Sequence, residues 1–270
     1  MRTNANLVRS AALVAAIAAA GCSHDVTAPV APIVPVPTLT AQNSVIGMPA
    51  GWGGNLGQPP SFIIGVESAN AHGGTHAAFI TNAVAVESGS NFMNIAQLLR
   101  ADSYIGHRVR WSGWIRSTDV ELPYALAPTP GPLQVSGLWM RIDGRDSTLA
   151  FDNMELDPVV GTTDWHQVSI VLDVPANAVG IIFGVLFSGT GQLLVDDLAL
   201  ETVDTSVPTT NLESGPVSSP GVGAIYQNVP TAPTNLNFET ASQASASLRQ
   251  PTFPIALFSP ISAPSRRRIQ

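Results

Sequence analysis

Apolar and polar residues alternate with a period of two along much of the middle of the chain. In residues 107–118, Val109, Trp111 and Ile115 fall on one side, and all three arginines fall on the other. Because successive side chains of a β-strand point to opposite faces, this pattern predicts a half-buried strand.

Similar segments occupy the rest of this region. Strands are predicted at residues 135–143, 147–151, 165–174, 180–187 and 191–203, with weaker candidates at 61–66 and 76–81. Asp143-Gly144 is a hairpin signal between two of them, and residues 180–187 are apolar on both faces, as in a central buried strand. With turn residues between segments and no long amphipathic helix, the pattern predicts an all-β, antiparallel β-sandwich.

Composition narrows the class of protein further. The chain has 270 residues, of which 23 are glycine and 22 proline, and this argues against a helical bundle. A single cysteine excludes a disulfide scaffold. The formal net charge is −7, whereas nucleic-acid binders usually have a basic surface. No nucleic-acid partner is therefore expected.

The N-terminus has the pattern of an export signal. A positive region is followed by the apolar run 11–20, which is too short to span a bilayer and fits a signal peptide over residues 1–21. The run ends in Ala-Ala-Gly-Cys22, which resembles the lipobox of bacterial lipoproteins, although Ala19 stands where leucine is usual. The alternative is an ordinary secretory signal cut near Ala20.

The resemblance implies that Cys22 is acylated, for example with palmitate, and that the protein is a lipid-anchored cell-envelope lipoprotein. Ser23, in place of an aspartate, implies the outer membrane if the source is Gram-negative. Loss of residues 1–21 removes Arg2 and Arg9 and changes the net charge from −7 to −9. Acyl chains then provide the membrane contact without a spanning helix.

Three further regions follow the signal. Residues 22–44 contain four prolines and predict a semi-rigid tether. Residues 45–204 carry nearly all of the strand pattern and are expected to form the folded domain. Residues 205–270 hold nine prolines and ten serines and are expected to be a mostly irregular tail.

Two segments of the folded region resemble a known family. Residues 189–198 (GTGQLLVDDL) and residues 104–117 (YIGHRVRWSGWIRS) are similar to strands of galactose-binding-like jelly-roll domains. Many carbohydrate-binding modules share this fold, and one bacterial subgroup accompanies AraC-type regulators and hydrolases. The resemblance covers roughly residues 60–204 and implies a jelly roll that binds carbohydrate.

One feature of that family is displaced in this chain. Its modules usually begin with an N-x-x-F-E segment before the first tryptophan, whereas residues 43–52 read NSVIGMPAGW. The sequence NLNFE appears instead at Asn235–Glu239, after the predicted domain. We interpret it as a vestigial or packed-back segment.

Aromatic and arginine side chains are the candidate ligand contacts, because sugars stack on flat rings and hydrogen-bond to planar polar groups. The candidates are Trp114, Arg116, Trp139, Arg141, Tyr104 and Tyr124. The two Trp/Arg pairs are expected to line one concave sheet. The alternative is a structural role, because large tryptophans are often core residues; Trp111 and Trp165 are expected in the core.

Carboxylates suggest one metal site. Asp196 and Asp197 resemble the aspartates that help to bind a structural calcium in many jelly-roll modules, but the usual N-terminal glutamate is missing. No cofactor is required, and a structural calcium is the one metal considered. His72 and His76 have the spacing of zinc ligands on a helix, but Gly73-Gly74 between them predicts a turn.

Little in the chain suggests catalysis. No G-x-S-x-G motif is present, and the lone cysteine is assigned to the anchor. The sequence therefore predicts a non-enzymatic envelope lipoprotein whose module binds a glycan. The alternatives are a protein-interaction or structural envelope module, or an accessory domain related to those attached to hydrolases.

Overall fold

The computed structural model describes residues 44–54, 62–82, 92–122, 135–213 and 215–240. All of them belong to one compact unit. The predicted signal peptide, Cys22, the tether before Ser44 and the candidate Tyr124 lie outside the described residues. No helix in the described ranges is long and apolar enough to cross a membrane.

The described residues form β-strands and one short 3-10 helix. The strands are β1 (Ser44–Ile46), β2 (Gly53–Gly54), β3 (Phe62–Glu67), β4 (Ala77–Asn82), β5 (Met93–Arg100), β6 (Arg108–Glu121), β7 (Ser136–Asp143), β8 (Ser147–Asp152), β9 (Gly161–Asp173), β10 (Gly180–Phe187), β11 (Thr190–Val203) and β12 (Val217–Ser218). The 3-10 helix covers Val222–Tyr226.

Two six-stranded antiparallel sheets pack face to face. The first sheet has the order β1-β3-β4-β11-β6-β9, and the second has the order β12-β8-β7-β10-β5-β2. Strands β4 to β11 have the arrangement of an eight-stranded jelly roll, with β4, β11, β6 and β9 in the first sheet and β5, β10, β7 and β8 in the second, and the remaining strands are added at the edges. The predicted all-β, antiparallel sandwich of jelly-roll type is therefore confirmed.

Every strand predicted from the sequence is present. The hairpin at Asp143-Gly144 joins β7 to β8, and the Gly144 N–H donates to the Ser147 carbonyl at 2.7 Å. Strand β10 is buried at all of its positions because it lies between β7 and β5. The expectation of a central buried strand is confirmed.

Strand β5 was not predicted. Its sequence, MNIAQLLR, has no clear alternation, and most of its residues are good helix formers. It is buried at every position except the last, because it lies between β10 and β2 and is covered on both faces. Tertiary packing overrides the local preference here.

The core lies between the sheets. Trp111 from the first sheet is fully buried, and its ring centroid lies 4.6 Å from that of Phe183 in the second sheet. The Trp111 Nε1–H donates to the Gly184 carbonyl at 3.1 Å, which satisfies the one polar group of the indole. The expectation that Trp111 is a core residue is confirmed.

Residues after 204 also belong to the packed body. Strand β12 pairs with β8, and Phe238 is completely buried. The ring of Phe238 stacks on Trp52 at a centroid distance of 5.4 Å, and the Trp52 Nε1–H donates to the Asn235 carbonyl at 3.0 Å. The NLNFE segment thus lies beside the first tryptophan of the domain, and the body extends past the expected boundary.

Truncation of Phe238 tests this packing. We expect Phe238→Ala to lower the free energy of unfolding by about 3–5 kcal/mol, because it removes a buried aromatic ring and leaves a cavity. Urea unfolding measures the change, with Leu156→Ala as the control at a side chain that is 69% exposed. Equal, small effects of the two variants would contradict the packing of the segment into the core.

A candidate ligand site on the outer face of the first sheet

The register of the first sheet places several predicted residues on its outer face. Trp114 of β6 lies opposite Asp196 of β11, and Arg116 lies opposite Leu194. Leu194 in turn lies opposite Phe79 of β4. Since Trp111 and Ile115 point into the core, these alternate residues form one continuous outward face.

Strand β9 brings a further tryptophan to this face. Ile170 and Leu172 point into the core, so the alternation along β9 places Trp165 on the outer side. A β-bulge lies next to it: between the pairs Ile115/His166 and Ser117/Thr163, one residue of β6 faces two residues of β9, Asp164 and Trp165. Trp165 packs outside the sheet against Phe79 and Leu194, and the expectation that it is a core residue is wrong.

His72 joins the two tryptophans. Its imidazole stacks on Trp114 with a centroid distance of 4.0 Å and an interplanar angle of 16°. It also meets the ring of Trp165 at 5.5 Å in an edge-on arrangement. We call these three side chains, of which the two tryptophans are half-buried and His72 is exposed, the aromatic patch. Neither His72 nor Trp165 is among the ligand contacts predicted from the sequence.

Two neighbouring carboxylates fix the position of His72. Its Nδ1 lies 2.7 Å from Asp197 Oδ2, and its backbone N–H donates to Asp196 Oδ2 at 2.9 Å. The same Asp196 oxygen accepts the Gly73 N–H at 3.0 Å. Burial raises the pKa of Asp196 above its ordinary value, while these N–H groups oppose the rise.

A third carboxylate binds the other half of the same loop. Glu239 Oε1 accepts the N–H groups of Thr75 and His76 at 2.6 Å and 3.1 Å, and Oε2 accepts the Thr75 hydroxyl. The hydrogen bonds from Thr75, followed by those from His76, lower the pKa of Glu239 to about 2. Gly74 allows this approach, since a Cβ there would lie 2.1 Å from Glu239 Oε1.

The arrangement of these carboxylates bears on the predicted calcium site. Asp196 accepts three backbone N–H groups, those of His72, Gly73 and Asp197. Both oxygens of Glu239 also accept hydrogen bonds from N–H and O–H groups. A cation needs these lone pairs for itself, so the residues as arranged do not fit a calcium ion. Within the described ranges no three His, Cys, Asp or Glu side chains form a metal-binding group.

Arg116 lies on the same outer face. Its side chain is 14% exposed, and its Nε lies 3.8 Å from Asp164 Oδ1. That separation is too long for a hydrogen bond, and Asp164 is largely exposed. The guanidinium is therefore held near the patch without a tight ion pair to Asp164.

The second Trp/Arg pair lies elsewhere. Trp139 and Arg141 belong to β7, in the other sheet, so the two pairs do not line one concave surface. Trp139 is 2% exposed and packs in a cluster with Val222 and Tyr226 of the 3-10 helix. The hypothesis of a shared sheet is wrong, because β6 and β7 belong to different sheets. Residues of the tail cover Trp139 on the outer face of the second sheet.

Arg141 takes part in a buried polar network. Its Nη2 donates to Asp143 Oδ2 at 2.8 Å, and the Tyr226 hydroxyl donates to the same oxygen at 2.7 Å. Burial, followed by the Asp143 charge, raises the pKa of Tyr226 well above its ordinary value. The ring of Tyr226 lies on Gly180, where a Cβ would meet it at 2.1 Å. This arrangement is typical of structural packing.

The remaining candidate lies outside the patch. Tyr104 occupies the turn before β6, where it packs against the core and burial raises its pKa. A separate pocket of about 460 Å³ lies between β9 and the loop after β8, and its lining includes Met154, Val159 and His166 but none of the predicted ligand contacts. Trp114 and Arg116 are thus the predicted pair that the structure places together on a partly exposed face.

The fold and the patch define the protein as a jelly-roll β-sandwich with a candidate site on one outer face. The chain is 37% identical over 194 residues to a Bacillus subtilis (strain 168) protein named "Uncharacterized HTH-type transcriptional regulator YbfP". The match covers 72% of this chain and 58% of that relative, which is less than two thirds of its length. No family model matches the chain.

Several solved structures show a weaker likeness. A cyclase from Fischerella sp. TAU is 16% identical, with a TM-score of 0.40 over 63% of this chain and 93% of that one. The CBM22-1 xylan-binding domain of Paenibacillus barcinonensis Xyn10C is 16% identical, with a TM-score of 0.37 over 62% and 99%. These scores are too low to assign a ligand, and the jelly-roll assignment is based on the strand order.

The low pKa of Glu239 predicts a pH dependence. Its pKa in the fold, about 2, lies below the ordinary 4.5, so its ionised form stabilises the fold. This contribution is complete above pH 4.5 and is lost as the pH falls toward 2. We therefore expect the stability difference between the wild type and Glu239→Gln to shrink over that range.

Urea unfolding of both proteins between about pH 6 and pH 3 measures this difference. Both proteins contain the same other carboxylates, so the titration of those groups cancels in the difference between the two free energies of unfolding. A difference that stays constant, or that grows as the pH falls, would contradict the hydrogen bonds assigned to Glu239.

Proposed function

We propose that the protein is a lipid-anchored envelope lipoprotein whose sandwich binds carbohydrate, without catalysis, at the aromatic patch. The observation that carries the proposal is the grouping of Trp114, Trp165 and His72 beside Arg116 on one partly exposed sheet face. Aromatic faces next to fixed polar groups suit a ligand that presents both C–H surfaces and hydroxyl groups.

Polar side chains next to the patch support a hydroxyl-rich ligand. Gln192 lies opposite Thr118 on one side and Thr81 on the other, so the three share the outer face. The Thr118 hydroxyl is buried and the Thr81 hydroxyl donates to the Gly191 carbonyl, so the half-buried Gln192 is the member of the three that is open to a ligand. Gln167 lies opposite Trp114 and is exposed. Gln192 and Gln167 can donate to and accept from sugar hydroxyls.

The chemistry of the nearby carboxylates supports binding rather than catalysis. Asp196 and Glu239 hold backbone N–H groups of the loop that carries His72. A general acid or base must instead be within reach of a reacting proton. The proposed role of these carboxylates is to shape the site.

The relative from Bacillus subtilis does not change this proposal. Its name refers to a helix-turn-helix, whereas the described residues of this chain contain no α-helix. We do not propose nucleic-acid binding for this chain, and a fold alone does not determine function.

A protein-interaction module is the second candidate. The observation that favours it is the stacking of His72 on one face of Trp114, which leaves less of that ring for a sugar. A protein partner contacts the residues around the patch as well as those at its centre. It therefore depends less than a sugar does on a free face of the Trp114 ring. The two candidates differ in whether an isolated glycan binds.

Substitution of the patch tests carbohydrate binding. We expect Trp114→Ala and Trp165→Ala each to weaken glycan binding at least about tenfold, which corresponds to about 1.4 kcal/mol. The probe is an array of neutral and acidic cell-wall oligosaccharides, followed by calorimetric titration with the best binder. Tyr104→Phe and Leu156→Ala, both outside the patch, serve as controls. Absence of binding to every glycan, or equal affinity in all variants, would exclude this function.

Substitution of Cys22 tests the anchor. In a bacterial host we expect the wild type to incorporate labelled palmitate and to partition into detergent, because each buried acyl CH₂ contributes about 0.8 kcal/mol. Cys22→Ser removes the acylated thiol and should yield an unlabelled protein in the aqueous phase, whereas Ser23→Ala should remain labelled. Label retained by Cys22→Ser would contradict lipidation at this residue.

A further inference from the structure

The segment of residues 234–239, which we call the C-terminal clamp, reaches the site from the far end of the described chain. Gln97 Nε2 donates to the Thr234 carbonyl at 2.6 Å, and the Thr234 N–H donates back to Gln97 Oε1 at 3.0 Å. Asn235 Nδ2 donates to the Ala50 carbonyl at 2.9 Å. With Phe238 buried on Trp52, the clamp is anchored in the core immediately before Glu239.

The loop of residues 72–76 is held at two points. Its first half donates N–H groups to Asp196, and its second half donates to Glu239. Gly74, at a φ of +60°, lies between the two halves. Because β4 begins at Ala77, the Glu239 bonds fix the loop where it enters the sheet.

We propose that Glu239 is a positioning residue for the aromatic patch. By holding Thr75 and His76, it keeps the loop in the conformation that stacks His72 on Trp114. The C-terminal part of the chain therefore helps to position the patch through Glu239. The inference rests on the proposed function of that patch. Asp196 and Asp197 hold His72 itself, and Glu239 holds the other end of the loop. Without the carboxylate of Glu239, the N–H groups of Thr75 and His76 turn to water, and the stacking of His72 on Trp114 loosens.

The stacking of His72 supplies a direct readout. A proton of an imidazole 4.0 Å from an indole centroid is shifted upfield by the ring current. The chain has five histidines, so the ring signals of the full protein, labelled at histidine, are few enough to resolve. His72→Gln identifies the signal by its disappearance.

We expect Glu239→Gln to move the His72 signal toward the position of an unstacked imidazole, at a pH of about 7. Binding of the best glycan should weaken about three- to tenfold, which is about 0.7–1.4 kcal/mol. Glu155→Gln, at an exposed carboxylate outside the loop, is the matched control and should change neither quantity. If no glycan binds the wild type, the proposed function fails, and the His72 signal still decides the role of Glu239.

Two outcomes would overturn the inference. In the first, the melting temperature falls while the His72 signal stays in place, which would show that Glu239 only fastens the chain end. In the second, neither the melting temperature nor the His72 signal changes. If the melting temperature and the His72 signal both change, Val222→Ala decides, because it removes a buried side chain from a cluster outside the clamp and the patch: an unmoved His72 signal in that variant supports positioning by Glu239, and an equal shift overturns it.

Discussion

The loop of residues 72–76 is held by three carboxylates, and the candidate site depends on this interaction. Asp196 and Glu239 accept backbone N–H groups of the loop, and Asp197 contacts the imidazole of His72, although these carboxylates lie 123 or more positions away along the chain. The loop carries His72 onto Trp114 on the outer face of the first sheet. Charge-assisted hydrogen bonds of this kind are stronger than neutral ones, so the loop is fixed on the sheet by electrostatics rather than by apolar burial.

The two faces of the sandwich serve different purposes. The outer face of the second sheet is covered by the 3-10 helix, where Tyr226, Arg141 and Asp143 form a buried network. The outer face of the first sheet keeps its aromatic residues half-buried. A tryptophan followed two residues later by an arginine occurs on both faces, and what packs over each pair decides whether a ligand can reach it. The same motif is therefore structural at Trp139 and a candidate contact at Trp114.

Alternation predicted most strands of the sandwich and placed Trp111 inside and Trp114 outside, and a run that is apolar on both faces predicted β10. Alternation also places Trp165 on the side away from Ile170 and Leu172; the expectation of a core position follows the usual burial of tryptophans and is wrong. Alternation missed β5, where burial on both faces removes the alternation. The role of His72 depends on contacts with Asp196 and Asp197, 124 and 125 positions away, and that of Glu239 on contacts over 163 and 164 positions. A single sequence contains no information on such pairs.

The central claim is that a ligand binds where Trp114 and Trp165 share the outer face. The chain has five tryptophans, so their indole N–H signals can be followed individually by NMR during titration with an oligosaccharide. We expect the signals of Trp114 and Trp165 to move, while those of the buried Trp52, Trp111 and Trp139 remain in place. Movement of the Trp139 signal alone, or of no tryptophan signal, would contradict the account.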